Sequence, residues 1–276
     1  MSYRTDVVYR YDGTLDGFLC CVYESYANKE MPAAILGPED EQLSLLTTRE
    51  VETNPFRAAR VLKSIPARIS EDALYLVERA MLTCMPDREK RLLEFLHLGY
   101  RKGPMVMDML HDDAVAPVMS AVNHLAREAH LYLGFVRFTQ NAGVLAAVIE
   151  PKNRVLPLIS QHFIDRYPNE AFVIFDRTHK EALVAQYGRG RIAPLEAMEL
   201  PEPDDLERAV RALWRRFHSA VGIGPRKNSV CQRTHLPLRY RSVMTEFQFD
   251  PASGGEIRDS IPEVNLPAHP ARQPGV

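Results

Sequence analysis

The hydrophobic period of this chain changes at Gly134, and that change decides its fold class. From residue 54 to 133 apolar side chains recur at helical spacing. Beyond Gly134, "GFVRFTQNAGVLAAVIEP" reads as two strand-like runs around Asn141, Ala142 and Gly143, and "AFVIFDRTHKEALVAQYG" repeats the scheme around "RTHK". Between them, "VLPLISQHFIDRYP" places apolar residues at 155, 156, 158, 159 and 163, with Pro157 suited to a first helical turn. The order strand-strand-helix-strand-strand lays a helix over one face of an antiparallel sheet. The expected fold is α+β: a helical amino-terminal half plus a ββαββ-like antiparallel sheet with covering helices.

At the amino terminus "TDVVYRYDGT" alternates apolar and polar residues and stops at Asp12-Gly13, a short strand and turn, after which Thr14 caps a helix running to about Asn28. Helix-start signals recur at Asn54-Pro55, Ser70 with Glu71 and Asp72, Met85-Pro86, and Asp112-Asp113, which predicts four or five helices. The expected organisation is 1–133 mainly helical with a first short strand, and 134–250 an antiparallel sheet with basic carboxy-terminal helices, packed with the first region as one unit. Residues 251–276, with Pro262, Pro267, Pro270 and Pro274 among small and polar residues, are expected to be a disordered tail. With 46% hydrophobic residues in 276, the chain can fill a core.

Four cysteines at 20, 21, 84 and 231 show no CxxC pair, which argues against a disulfide framework, a structural zinc or a cysteine-held cluster; Cys20 and Cys21 read as reduced thiols on a helix. Without a signal-peptide pattern or an apolar run long enough to span a bilayer, a cytoplasmic protein with no membrane contact is expected.

A net charge of −2 excludes a globally basic nucleic-acid coat, so any polyanion contact is local. The charge is unevenly placed. From Leu206 to Glu246 the cations Arg208, Arg211, Arg215, Arg216, Arg226, Lys227, Arg233, Arg239 and Arg241 face two acids, a local +7 that leaves −9 for the rest. On a helix, Leu206, Val210, Leu213 and Phe217 share a face expected to pack, while Arg208, Arg211, Arg215 and His218 form a charged stripe. Arginine's planar fork donates paired hydrogen bonds to phosphate at any working pH. Arg226, Lys227 and Asn228 follow two glycines, and Tyr240 between Arg239 and Arg241 offers a stacking surface. The competing reading is a solvated helix face, or cations that neutralise the acidic remainder of the fold.

Other groupings carry weaker chemistry. Asp108, His111 and Asp112 have helical spacing for a shared metal, with Asp112 or Asp113 as a helix cap the plainer account. His124, Glu128 and His130 lack zinc-protease spacing. His162 and Asp165 resemble a base and its orienter, without a nucleophile motif to serve. Arg137, among Phe135, Val136 and Phe138, would join a base-stacking surface if it lay on an exposed strand, against the alternative that at least one phenylalanine is core. Isolated GxG triplets make no dinucleotide fingerprint, and neither a cofactor nor a metal is expected.

The ordered motifs "YDGTLDGFLCCVYESY", "LHLGYRKG", "EAHLYLGFVRF", "IEPKNRVLPLISQHFIDRYP" and "WRRFHSAVGIGPRKN...LPLRYRSVMTEF" resemble a bacterial domain-of-unknown-function family connected with DNA metabolism and repair, from about Val8 to Phe247. The resemblance implies a genomic partner, a radical S-adenosylmethionine protein of DNA modification or repair; some members are fused to a uracil-DNA glycosylase-like domain. It brings no catalytic residues, only motif positions: Asp12, Gly13, His130, Arg137, Glu150, His162, Arg166, Asp176, Trp214, Arg226, Asn228, Arg239 and Tyr240. Of these Asp12, His130, Arg137, His162 and Arg166 are candidates for a pocket. This chain lacks the CxxxCxxC of the radical enzyme. The expected function is that of a DNA-binding accessory protein without independent catalysis. The alternatives are an enzyme acting on a damaged nucleotide or nucleobase, and a scaffold for the radical partner that does not bind DNA.

Overall fold

A computed structural model describes residues 3–38, 40, 45–141, 143–199, 205–221 and 228–244. The tail expected over 251–276, and Arg226 and Lys227, lie outside the described residues. The chain opens with β1 (Val7–Arg10), α1 (Leu15–Ala27), β2 (Ala34–Leu36) and β3 (Thr47–Glu50), in a sheet of order β2-β1-β3 in which both pairs are parallel. Parallel neighbours need a crossover, and α1 supplies the one between β1 and β2. Thr14 caps α1 as its spacing predicts, its hydroxyl accepting from the Gly17 amide at 3.0 Å. Gly17 leaves no room for a side chain: a Cβ there would stand 2.2 Å from the Asp12 carboxylate.

Helices α2 (Pro55–Arg68), α3 (Glu71–Ala80) and α4 (Arg88–Lys102), a 3-10 helix over Gly103–Asp108, and α5 (Ala116–Phe135) follow. Asn54 and Ser70 cap α2 and α3 through their side chains. Asp112 accepts from the Ala114 amide in the turn before α5. Phe18, Leu19, Ile65 and Phe95 centre a first core; Tyr132, Phe163, Phe172 and Ile174 centre a second. Helix α5 reaches both, with Val118 in the first and Leu125 in the second.

The α+β class holds. A second sheet has the order β4-β5-β6-β7-β8, from β4 (Thr139–Asn141), β5 (Val144–Ile149), β6 (Ala171–Asp176), β7 (Glu181–Gln186) and β8 (Arg189–Pro194), with α6 (Leu156–Arg166) between β5 and β6. The strand-strand-helix-strand-strand order is present, but β5 and β6 run parallel, as a helical crossover requires, with antiparallel pairs on either side. Helix α5 runs through Gly134 to Phe135, so Arg137 lies between α5 and β4 rather than on a strand. Its guanidinium donates to the carbonyls of Gly134, at 2.7 Å, and Val136. Phe138 meets Phe163, Tyr167 and Phe172 edge-on, and Phe135 packs against Tyr240, so neither ring serves as an open stacking surface.

Helices α7 (Asp205–Val221), α8 (Ser229–His235) and α9 (Leu238–Arg241) are the last elements among the described residues. On α7 the face expected to pack is open: Leu206, Val210, Leu213, Trp214, Phe217 and Val221 are all exposed. The helix is joined to the sheet through its polar side, where Arg211 donates to the Thr139 hydroxyl at 3.0 Å.

Candidate nucleic-acid interface

Glu128 organises a cleft between α5, the loop after β5 and α9. It sits on α5 with only 4% of its surface exposed. Its carboxylate accepts from the backbone amides of Lys152 (3.1 Å) and Asn153 (2.9 Å), from the Asn153 side-chain amide (2.6 Å), and pairs with Arg239 at 2.8 Å. A buried carboxylate requires such donors, because burial without them costs several kcal/mol (about 2–7 for even a neutral polar group). Asn153 in turn accepts from the Cys84 amide at 2.9 Å, and the Arg154 amide donates to the Leu82 carbonyl. One carboxylate therefore fixes α5, the connection from α3 to α4, the loop after β5 and α9 against one another.

The space between these elements is a cleft of about 720 Å³. Arg91, Arg127, Lys152 and Arg239 line it with His124, and among the described residues Glu128 is the one acid in its wall. Arg91 donates to the Pro86 carbonyl at 3.2 Å. Among the described residues, Arg91, Arg127 and Lys152 have no carboxylate within ion-pair distance, so their charge faces the cleft uncompensated. Burial opposes the charge on Arg239, but Tyr240 and Glu128 more than offset it, raising its pKa.

The residues singled out from sequence are placed differently. Among the described arginines of the basic segment, Arg239 alone lines this cleft, and it arrives already paired. Tyr240 also borders the cleft but is 1% exposed, packed edge-on against Tyr132 at 5.1 Å and under the Arg239 guanidinium, so it cannot offer a face to a base. Its phenol is pushed up by burial. Arg208 and Arg211 on α7 pair with Asp205 and Glu207, each at 2.8 Å. Asn228 caps α8, accepting from the amides of Val230 and Cys231. Arg241 is half-buried at the end of α9, and the Arg215 side chain lies outside what is described.

None of the five pocket candidates lines the cleft. Asp12 accepts from Thr14 and from the Thr53 hydroxyl at 2.7 Å; burial raises its pKa and these bonds outweigh it, leaving it lowered. His130 is exposed on α5; His162 and Arg166 are exposed on α6, with Arg166 over the Tyr167 ring. Asp165 binds Gln161 rather than orienting His162. Among the described residues no group of three or more His, Cys, Asp or Glu is placed to hold a metal ion, and no helix is long and apolar enough to cross a membrane. Arg91, Arg127 and Lys152 were not singled out in the sequence, because they come from α4, α5 and a loop and meet only in the fold.

The profile of a family described as a domain of unknown function, DUF4130, matches residues 86–246. That span contains all four cations of the cleft and the glutamate beneath them. No curated protein matches the chain.

Proposed function

We propose, for a chain that belongs to the domain-of-unknown-function family DUF4130, that the Glu128 cleft grips the phosphate backbone of DNA. The protein then acts as a non-catalytic accessory factor in DNA metabolism or repair, beside a radical S-adenosylmethionine partner. One observation carries the reading: four cationic side chains line a cleft in which, among the described residues, the one carboxylate is spent on internal donors. Such a wall attracts a polyanion, and cations without acidic partners release counterions when they meet phosphate. The basic carboxy-terminal segment contributes less than its composition implies, since Arg208, Arg211 and Arg239 have carboxylate partners.

A titration of duplex DNA at several salt concentrations tests this. The parent is expected to show a linear fall of log affinity with log salt, and the variant Arg91→Ala/Arg127→Ala/Lys152→Ala a slope shallower by roughly 2–3, the value for three lost phosphate contacts. Equal slopes and affinities would remove the cleft from the interface.

The partner half of the proposal draws on α7. Its open apolar face beside paired cations is a surface that a protein partner covers more readily than a nucleic acid. Trp214→Asp is expected to abolish co-purification with the radical protein while leaving DNA retardation unchanged. Retained co-purification would move the partner to another face.

A further inference from the structure

Two clefts of the amino-terminal half share a wall. One, of about 490 Å³, opens between α1 and α2 and is lined by Tyr23, Arg60 and Ser64; the other, of about 530 Å³, runs along α4 past His97 and Arg101. Tyr26, Arg68 and Tyr100 border both, so the two form one groove. Tyr26 is its centre. The ring stacks on His97 at 4.2 Å with an interplanar angle of 4°, and Tyr100 closes against it edge-on at 5.7 Å. Tyr100 is itself held by Ser64 at 2.6 Å. Even so, Tyr26 is 39% exposed although His97 covers one face of its ring. A ring oriented by two aromatic neighbours and still partly exposed has lost much of the freedom that binding would otherwise cost it.

The charge beside that ring is unevenly placed. Among the described residues no acid lines the α1–α2 cleft, where Arg60 and Arg68 stand about two turns apart on α2. The acids Glu94 and Asp112 line the α4 cleft, together with Arg101 and with Arg68 at the shared wall. Among the described residues Arg60 and Arg68 have no carboxylate within ion-pair distance.

We propose that this groove is a binding site for single-stranded nucleic acid, with one unstacked base against Tyr26 and the adjoining phosphates at Arg60 and Arg68. A duplex does not fit this chemistry, because its bases are already stacked and cannot reach a ring set between helices. The inference builds on the reading that the protein meets DNA. It adds a strand preference and uses none of the Glu128-cleft residues.

The test uses the full chain with a fluorescein-labelled oligothymidylate and an abasic oligonucleotide of the same length. Tyr26→Ala is expected to weaken oligothymidylate binding roughly five- to a hundredfold, the range for loss of one stacked base, and to leave the abasic probe unaffected. Tyr26→Phe should restore binding, since it keeps the ring. Arg60→Ala/Arg68→Ala should weaken both probes and reduce the salt slope by about 1.4, for two phosphates on a single strand. Parental affinity in both Tyr26→Ala and the double arginine variant overturns the inference, as does equal loss on the two probes in Tyr26→Ala. Loss confined to the Arg91/Arg127/Lys152 variant overturns it while leaving the DNA reading intact. The converse pattern rejects the Glu128 cleft and keeps the groove.

Discussion

Between pH 6.5 and about 4, His97 is expected to cost the folded chain stability. Burial between α1 and α4 is the larger cause of its depressed pKa and the positive charge of Arg101 the smaller; together they bring it from 6.5 to about 4. Above pH 6.5 neither the folded nor the unfolded chain holds the proton, and the full stability is present. Below it the unfolded chain takes up a proton that the folded one refuses, so stability falls by up to about 1.4 kcal/mol per pH unit until the folded imidazole titrates too. The loss over the window is on the order of 2–3 kcal/mol, reduced from the full linkage value because the ring borders a solvent-filled groove. Urea midpoints measured across this range test it. His97→Phe keeps a ring under Tyr26, and Ser25 keeps its bond to the Val22 carbonyl at 2.8 Å, so the variant should fold and show a flatter profile. Superimposable profiles would mean that His97 is not held neutral. Asp12, whose pKa is lowered from 3.8, contributes in a separate window at lower pH and affects parent and variant alike.

The second large effect is expected at Glu128. Glu128→Leu removes the acceptor for the Lys152 and Asn153 amides and for the Asn153 side chain, leaving buried donors without partners. Each such donor costs about 1–3 kcal/mol, and water entering the cleft recovers part of that, so a net loss of about 3 kcal/mol is expected in urea unfolding. Arg239→Ala should cost far less, about 1 kcal/mol or below. Its side chain is 40% exposed, and the carboxylate keeps three donors without it. If the two variants lost equal stability, the carboxylate would be holding the arginine and little else. Hydrogen exchange should localise the Glu128→Leu effect to 150–155 and to α9, the segments it tethers.

The same contrast between local and long-range bonding separates what the sequence displayed from what it concealed. Thr14, Asn54 and Ser70 each cap a helix with their own side chains, a bond spanning two or three residues, so the spacing that announced them was also their cause. Pro157 enters α6 at its first turn for a similarly local reason. Strands β2 and β3 gave no such signal. One has three residues and the other reads "TTRE", almost wholly exposed; both exist because β1 pairs with each of them across a long stretch of chain. The strand β8, "RGRIAP", was hidden by its charges, although Tyr187 and Gly188, both at positive φ, mark the tight turn that begins it. The cleft was the least legible part. Clustered arginines near the carboxy terminus drew attention because they are neighbours in sequence, yet neighbours on a helix also find acids one turn away, as Arg211 finds Glu207. In the Glu128 cleft the uncompensated cations Arg91, Arg127 and Lys152 come instead from separate elements, and no short sequence window contains two of them.

The outermost strand of the second sheet has a further consequence. Beyond β8 the backbone groups of the ladder face outward, the position from which a sheet recruits another chain. Arg189 and Arg191 are exposed along that edge and Pro194 has no amide to donate, so a second copy aligned there would bring like charges together and miss a hydrogen bond. Assemblies built on this chain are therefore steered away from sheet extension and toward its helices, and the edge is guarded against amyloid-like stacking by residues that a strand-forming pattern would ordinarily exclude.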